Sequence, residues 1–180
     1  MEWDEKCILI TGANRGIGLS LVKTFAGAGA NIITLCRELS AETEKVFSDI
    51  SAASGRAISS YYCDLSNHEL LTSSLKMILK AHPKIDVLVN NAGVAFGASF
   101  FMTPLSKLKY IFDVNYYAPI LIMQMIGKNM LKHKQGVIIN IASTGGIEAN
   151  PGYLAYGSSK ASLIYATVCL SKELGPYGIR

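Results

Sequence analysis

The sequence predicts an α/β fold: a doubly wound parallel sheet with helices on both faces, in three layers. Three observations carry this. Short apolar runs alternate with longer amphipathic stretches from one end of the chain to the other. The short runs are continuously apolar rather than alternating, which suits parallel strands covered on both faces. A glycine cluster sits where the first run gives way to the first amphipathic stretch.

The elements follow in order. Residues 7–10 read as a strand, 17–28 as a helix, 31–35 as a strand and 41–50 as a helix. Residues 57–62 are the next strand, 68–80 a helix, and 86–89 and 137–141 two further strands. A long helical segment, 105–131, lies between those last two, and a final helix covers 153–174. Helices between successive strands are the connections that parallel pairing requires, and their crossovers are right-handed. The 180 residues show no repeat, linker or low-complexity segment, so residues 1–180 read as one domain. After the stop signals Gly175-Pro176, Gly178-Ile179-Arg180 approaches another strand and the sequence ends. A chain truncated after the fifth strand-helix unit is expected, with one side of the fifth strand unpaired, which is a hazard for stability.

Bulk properties narrow the partners. Half the residues are apolar, enough for a full core. The net charge of +4 is spread along the chain with no run of Lys or Arg, a poor basis for nucleic-acid binding. The opening residues 1–6 are acidic where a secretory signal would be basic. The most lipid-like stretch, 118–126, is too short to span a bilayer and contains Pro119 and Gln124. A soluble, cytoplasmic protein without membrane partners is expected. Cys7, Cys36, Cys63 and Cys169 lie far apart, with no CxxC pair and no neighbouring His; buried reduced thiols are expected, and no metal site.

Thr11-Gly12-Ala13-Asn14-Arg15-Gly16-Ile17-Gly18 leads out of the first strand and opens the first helix. Gly12 permits a sharp turn, Gly16 lets the backbone approach a phosphate, and Gly18 lets the helix pack on the sheet. The helix N-terminus offers free N–H groups and partial positive charge to a pyrophosphate. The spacing G-x-x-x-G-x-G is neither GxGxxG nor a P-loop, and a tight turn without ligand is the competing reading. At the tip of the second strand, Leu35-Cys36-Arg37 places no acid where an NAD ribose would want one. Arg37, helped by Arg15, pairs with a 2′-phosphate and so favours NADP over NAD, unless Arg37 is only a solvated loop residue balanced by Glu38. Asp64 and Leu65 follow the third strand; Asp64 either accepts from an adenine amino group or caps the next helix. Asn90-Asn91-Ala92-Gly93 ends the fourth strand, either tying strand ends beside a cofactor or forming an ordinary turn.

The sharpest chemical pattern is Tyr156-Gly157-Ser158-Ser159-Lys160. Residues four apart share a helix face, and a nearby ammonium stabilises a phenolate whose free pKa is about 10. In isolation such a pair occurs by chance on many helices. Ser143 ends the fifth strand at the ligand edge, and Asn115 precedes Pro119 by four residues. Pro119 has no N–H, so the Asn115 carbonyl loses its helical partner; a kink or an inserted water is expected.

With these segments in one order, the chain resembles the short-chain dehydrogenases/reductases of the single-domain type, in general look the 3-oxoacyl-carrier-protein reductases and related carbonyl reductases. The resemblance rests on Thr11-Gly12-x-x-x-Gly16-Ile17-Gly18, Asp64, Asn90-Asn91-Ala92-Gly93, Asn115, Ser143 and Tyr156-x-x-x-Lys160. It implies a Rossmann fold and a catalytic tetrad of Asn115, Ser143, Tyr156 and Lys160. Ser143 would hold the substrate oxygen and Tyr156 would exchange the proton. Lys160 would lower the Tyr156 pKa and bind the nicotinamide ribose, and Asn115 would hold a relay water. It further implies cofactor contacts from Gly12, Asn14, Arg15, Gly16, Ile17, Gly18, Arg37, Asp64, Leu65, Asn91, Ala92 and Gly93, with Tyr156 and Lys160.

A homodimer or homotetramer through the two long helices is implied as well, with Leu121, Met123, Met125, Leu163 and Val168 available either to that interface or to the core. The sixth strand, nicotinamide-contacting turn and substrate-covering segment that such proteins carry after this point are missing from the sequence. The expected function is therefore NADP(H)-dependent interconversion of a ketone and a secondary alcohol, acting on a small molecule. The alternative is a non-catalytic dinucleotide-binding protein or an inactive fragment.

Overall fold

Five parallel strands make one sheet in the order β3-β2-β1-β4-β5. They are β1 (Cys7–Thr11), β2 (Asn31–Cys36), β3 (Ile58–Tyr62), β4 (Val87–Asn90) and β5 (Val137–Asn140). The structure is a computed structural model that describes residues 3–180. Met1 and Glu2, part of the acidic opening, lie outside the described residues.

The unbroken apolar runs have a direct cause. Successive side chains of a strand point to opposite faces, and here both faces of the central strands are buried. Ile8 and Ile10 of β1 join Ile32, Val87 and Val89 in one core with Val22, Ala26 and Phe47 of α1 (Gly16–Gly27) and α2 (Ala41–Ser54). Leu9 joins Ile33 and Leu88 in a second core on the other face. That core is closed by α3 (His68–Ala81), α5 (Ala118–His133) and α6 (Leu154–Leu174), which contribute Leu71, Leu75, Ile122, Ile126 and Leu163. Local signals set the helix ends. Ser40 and Asn67 accept from the N–H groups of Thr43 and Leu70 at 3.2 and 3.0 Å, and Gly55 ends α2 at φ 67°.

The long segment predicted at 105–131 is helical but not uniform. It runs as α4 (Leu105–Phe112), a π turn over Asp113–Tyr117, and α5. Within the turn the Ala118 N–H donates to the Asp113 carbonyl, five residues back. A wider turn accommodates Pro119 and its missing N–H, and it carries Asn115 into the interior.

Two expectations at the sheet's far edge change. β5 ends at Asn140, so Ser143 lies beyond the strand and caps the short 3₁₀ turn Thr144–Gly146. The approach to another strand at 178–180 is realised: Ile179 bridges Gly136 in parallel, Ile138 N–H donates to Arg180 O at 2.8 Å, and Arg180 N–H donates to Gly136 O at 3.0 Å. The first half of β5 is therefore paired on its outer side, contrary to expectation.

The helical apolar residues weighed for an interface divide. Met123 and Leu163 are fully buried, Leu121 and Met125 pack against the same core, and only Val168 is outward at 51 % exposure. Cys36 and Cys63 are buried thiols, whereas Cys7 and Cys169 are half-buried. No helix among the described residues is long and apolar enough to cross a membrane.

At the opposite end of the sheet from the glycine turn, Asp86 locks β4 to β1. Its carboxylate accepts from the Cys7 N–H at 3.0 Å and from the ammonium groups of Lys84 and Lys6 at 3.1 and 3.4 Å. Burial opposes its ionisation, but the Cys7 N–H and the two lysines outweigh it and hold the carboxyl below its ordinary pKa. Burial, with the Asp86 charge, pushes the neighbouring Cys7 thiol up to about 11. A depressed folded-state pKa gives stability that is present above the unfolded value, about 3.9, and is lost as pH falls through the folded value. Asp86→Asn is expected to cost roughly 1–3 kcal/mol at neutral pH and to flatten that acid-side loss, measured by urea unfolding at pH 7 and below pH 4. A variant as stable as the parent at pH 7 would refute this.

Candidate active site

The strand order reverses between β1 and β4, and a cleft of ≈ 690 Å³ opens at the carboxyl ends of the strands at that point. The first turn contributes Gly12, Asn14, Arg15, Gly16 and Ile17 to its wall. Arg37 from the tip of β2, Asp64 and Leu65 from that of β3, and Asn91, Ala92 and Gly93 from that of β4 line it as well, whereas Gly18, Tyr156 and Lys160 of the expected set do not.

The glycines have separate jobs. Gly12 turns at φ 64°, and a Cβ there would lie 2.9 Å from the Ala92 Cα. Gly16 sits at φ 53° with open space where its Cβ would be, leaving room for a ligand beside the backbone. Gly18 lies outside the cleft wall: a Cβ would strike the Gly12 carbonyl and come within 2.7 Å of the Asn91 amide, so it serves the packing of α1. No side chain caps the first turn of α1, and Arg15, Gly16 and Ile17 at its start line the cleft. This cradle fits a pyrophosphate.

Asn91 is the tie between strand ends. Its side-chain amide donates to the carbonyls of Thr11 and Gly12, both at 3.0 Å. The Thr11 hydroxyl, which sequence reasoning missed, accepts from the N–H groups of Asn91 and Ala92 at 3.0 Å each. Asp64 is not the helix cap, because Asn67 fills that role. Asp64 instead accepts from the N–H and hydroxyl of Ser66, which hold its carboxyl below the ordinary range with help from the Arg37 charge. Arg37 is well exposed and lies 3.7 Å from Glu38. Cys36, Val94, Tyr110 and Val114 also line the cleft, and only their place at or after strand ends, on α4 and in the π turn signals this.

Deeper in the fold, Lys160 is only 4 % exposed, and burial pulls its pKa below the ordinary lysine value. Its ammonium donates to the Ile141 carbonyl at 2.7 Å. A Cβ on Gly93 would lie 3.4 Å from both this ammonium and Asn115 Oδ1, so glycine is what lets the β4 turn reach them. Asn115 is fully buried. Its side chain accepts from the Val94 N–H at 2.8 Å and donates to the Val94 carbonyl at 2.9 Å and the Ser159 hydroxyl at 3.1 Å. Ser159 in turn donates to the Tyr156 carbonyl at 2.7 Å, a link from Asn115 to the first turn of α6 that a lone serine in the sequence does not announce. Ser143 and Tyr156 meet at Gly145. A Cβ there would lie 3.5 Å from Ser143 Oγ and 3.7 Å from the edge of the Tyr156 ring. The four tetrad positions thus lie around one end of the sheet, three of them joined through Gly93, Ser159 and the start of α6.

A doubly wound parallel sheet with this cleft at its switch point is a Rossmann-type nucleotide-binding fold. The family model for short-chain dehydrogenases matches residues 6–180. A 3-oxoacyl-[acyl-carrier-protein] reductase of Synechocystis is 33% identical over 171 residues, covering 95% of this chain and 69% of that protein. The NAD⁺-bound xylitol dehydrogenase superposes with TM-score 0.91 at 28% identity, over 100% of this chain and 69% of its own. A metagenomic short-chain oxidoreductase in complex with NADP gives 0.93 at 30% identity, over 100% and 80%. The chain belongs to the short-chain dehydrogenase/reductase family of NAD(P)-dependent oxidoreductases.

Proposed function

We propose that this chain interconverts a ketone and a secondary alcohol with NADP(H), using Tyr156 as the acid/base. The observation that carries the reading is the convergence of the Ser143 hydroxyl and the Tyr156 ring at Gly145, with the buried Lys160 one turn along the same helix. The nicotinamide dinucleotide would lie along the cleft from Gly12, Gly16 and Arg37 to Gly93 and supply or accept the hydride. Ser143 orients the substrate oxygen. Tyr156 passes a proton to that oxygen in reduction and takes it back in oxidation. Lys160 is the buried cation of the site, one turn from Tyr156 on the same helix. Asn115 fixes the π turn against Val94 and α6, and its carbonyl is the candidate holder of a relay water.

The substrate class follows from the chemistry and from the similarity to reductases of 3-oxoacyl groups. The test is NADPH oxidation over a panel containing acetoacetyl-CoA and simple aliphatic and cyclic ketones. Turnover of at least one is expected. A chain that binds NADPH, followed by its fluorescence, yet reduces none would leave a non-catalytic binding protein as the better reading.

The preference for NADP rests on Arg37 and Arg15 at the cleft and on Cys36, not an acid, as the last residue of β2, with Glu38 further on paired to Arg37. A 2′-phosphate would displace Glu38 from its exposed pairing with Arg37. Arg37→Asp is expected to cut kcat/KM with NADPH by roughly ten- to a hundredfold and to favour NADH, as loss of a charge-assisted hydrogen bond predicts. A parent enzyme that already prefers NADH would overturn the assignment.

We further read residues 1–180 as one dinucleotide-binding domain acting in the cytoplasm as a homodimer or homotetramer. The family match over residues 6–180 supports the first point, and the outward Tyr165 and Val168 of α6 support pairing through the long helices.

A further inference from the structure

We infer that Gly146 and Gly157 are positioning residues, which close a seam of bare backbone that sets Ser143 against Tyr156. The inference rests on the catalytic reading above. Gly157 follows Tyr156 in the first turn of α6. A Cβ on Gly157 would lie 2.6 Å from the Gly145 carbonyl oxygen. A Cβ on Gly146 would lie 2.8 Å from both the Ala161 N and the Lys160 carbonyl carbon. The short turn that carries Ser143 therefore rests on the Tyr156–Lys160 segment through main-chain atoms at two points. The side-chain end of Ile164 is 3.1 Å from the same Gly146 Cβ, but the closer atoms at both points are main chain and cannot give way.

Conformation does not explain these glycines. Neither has a positive φ, so the backbone at both positions is open to any residue. Gly157 even works against its surroundings, since glycine within a helix costs about 1 kcal/mol relative to alanine. Contact is the remaining demand, and the contact is with the reacting groups' own scaffold. Ser143 is rigid within the turn, because its hydroxyl accepts from the Gly145 N–H at 3.1 Å. Gly157 is rigid within the helix, its N–H donating to the Tyr153 carbonyl at 2.7 Å. Moving the turn off the helix consequently moves Ser143 relative to Tyr156, whereas Tyr156 and Lys160 keep their mutual spacing.

Gly157→Ala in the full chain is expected to lower kcat for acetoacetyl-CoA, or the best carbonyl of the panel, by about a hundredfold, as for a misplacement of about 1 Å. The NADPH dissociation constant should change by less than about threefold, because neither glycine lines the dinucleotide cleft. In a Ser143→Ala background the same substitution should cost less than about threefold, since its effect runs through Ser143. Gly146→Ala is expected to repeat this pattern. An unchanged kcat, or an equal loss in both backgrounds, overturns the inference. Loss of NADPH affinity in step with kcat, or unfolding of both variants by circular dichroism, makes the seam merely structural and overturns it as well. An active parent with an insensitive Gly157→Ala defeats this inference alone, whereas a parent that binds NADPH and turns over nothing defeats the catalytic reading and this inference with it.

Discussion

Tyr156→Phe is expected to lower kcat about a thousandfold while leaving the fold and NADPH affinity nearly untouched. The substitution removes only the hydroxyl. The ring edge beside Gly145 and the ring pair with Tyr153, centroids 6.2 Å apart, both remain. General acid–base catalysis by a placed side chain is worth about 10²–10⁴-fold, so a loss in that range identifies the phenol as the proton carrier. Single-turnover reduction with saturating NADPH measures it. A variant retaining more than about a tenth of parental turnover would assign the proton to another group.

Lys160→Met is expected to abolish measurable turnover and to change the alkaline stability of the protein in a defined direction. Lys160 is buried with a lowered pKa. Between the folded value and the unfolded value, about 10.4, the unfolded chain binds more protons than the folded one at this site. Stability contributed by this group therefore rises with pH across that window, and below it the charged ammonium is carried in the interior at a cost. The parent should gain on Lys160→Met as pH rises from 8 to 10.5 in paired urea unfolding curves. A difference that is flat with pH would show that burial does not govern this lysine. Keeping a buried cation next to a proton carrier at the expense of stability is the pattern expected of a functional group.

Much of this site was legible because its chemistry depends on residue types at fixed places. Gly12 and Gly16 need left-handed backbone, Asn91 needs an amide to bridge two strand ends, and Tyr156 and Lys160 need one helical turn between them. Their order and context survive folding unchanged. The misreadings have physical causes too. The π turn adds one residue to a helix whose apolar pattern otherwise keeps its period, so only Pro119 hinted at it. Thr11 and Ser159 looked like ordinary hydroxyls, because satisfying buried N–H groups leaves no periodic trace. Ser143 reads as the end of the fifth strand, but its hydroxyl caps the following turn and the strand stops at Asn140. Met123 and Leu163 belong to the core. An apolar residue on a long helix has the same appearance whichever partner covers it, and only the sheet's actual curvature and reach decide.

The tie that Asn91 and Thr11 make across the switch point also has a kinetic side. It joins segments about 80 residues apart in the chain, whereas each neighbouring turn forms from residues close in sequence. Contacts of such long separation close late in folding, after the loop entropy between them has been spent. The wall of the cleft is thus joined only when a loop of about 80 residues has been closed. A dinucleotide lying across it would bind only the chain in which that loop is closed, so its concentration would raise the stability of the fold by mass action as well as feed turnover.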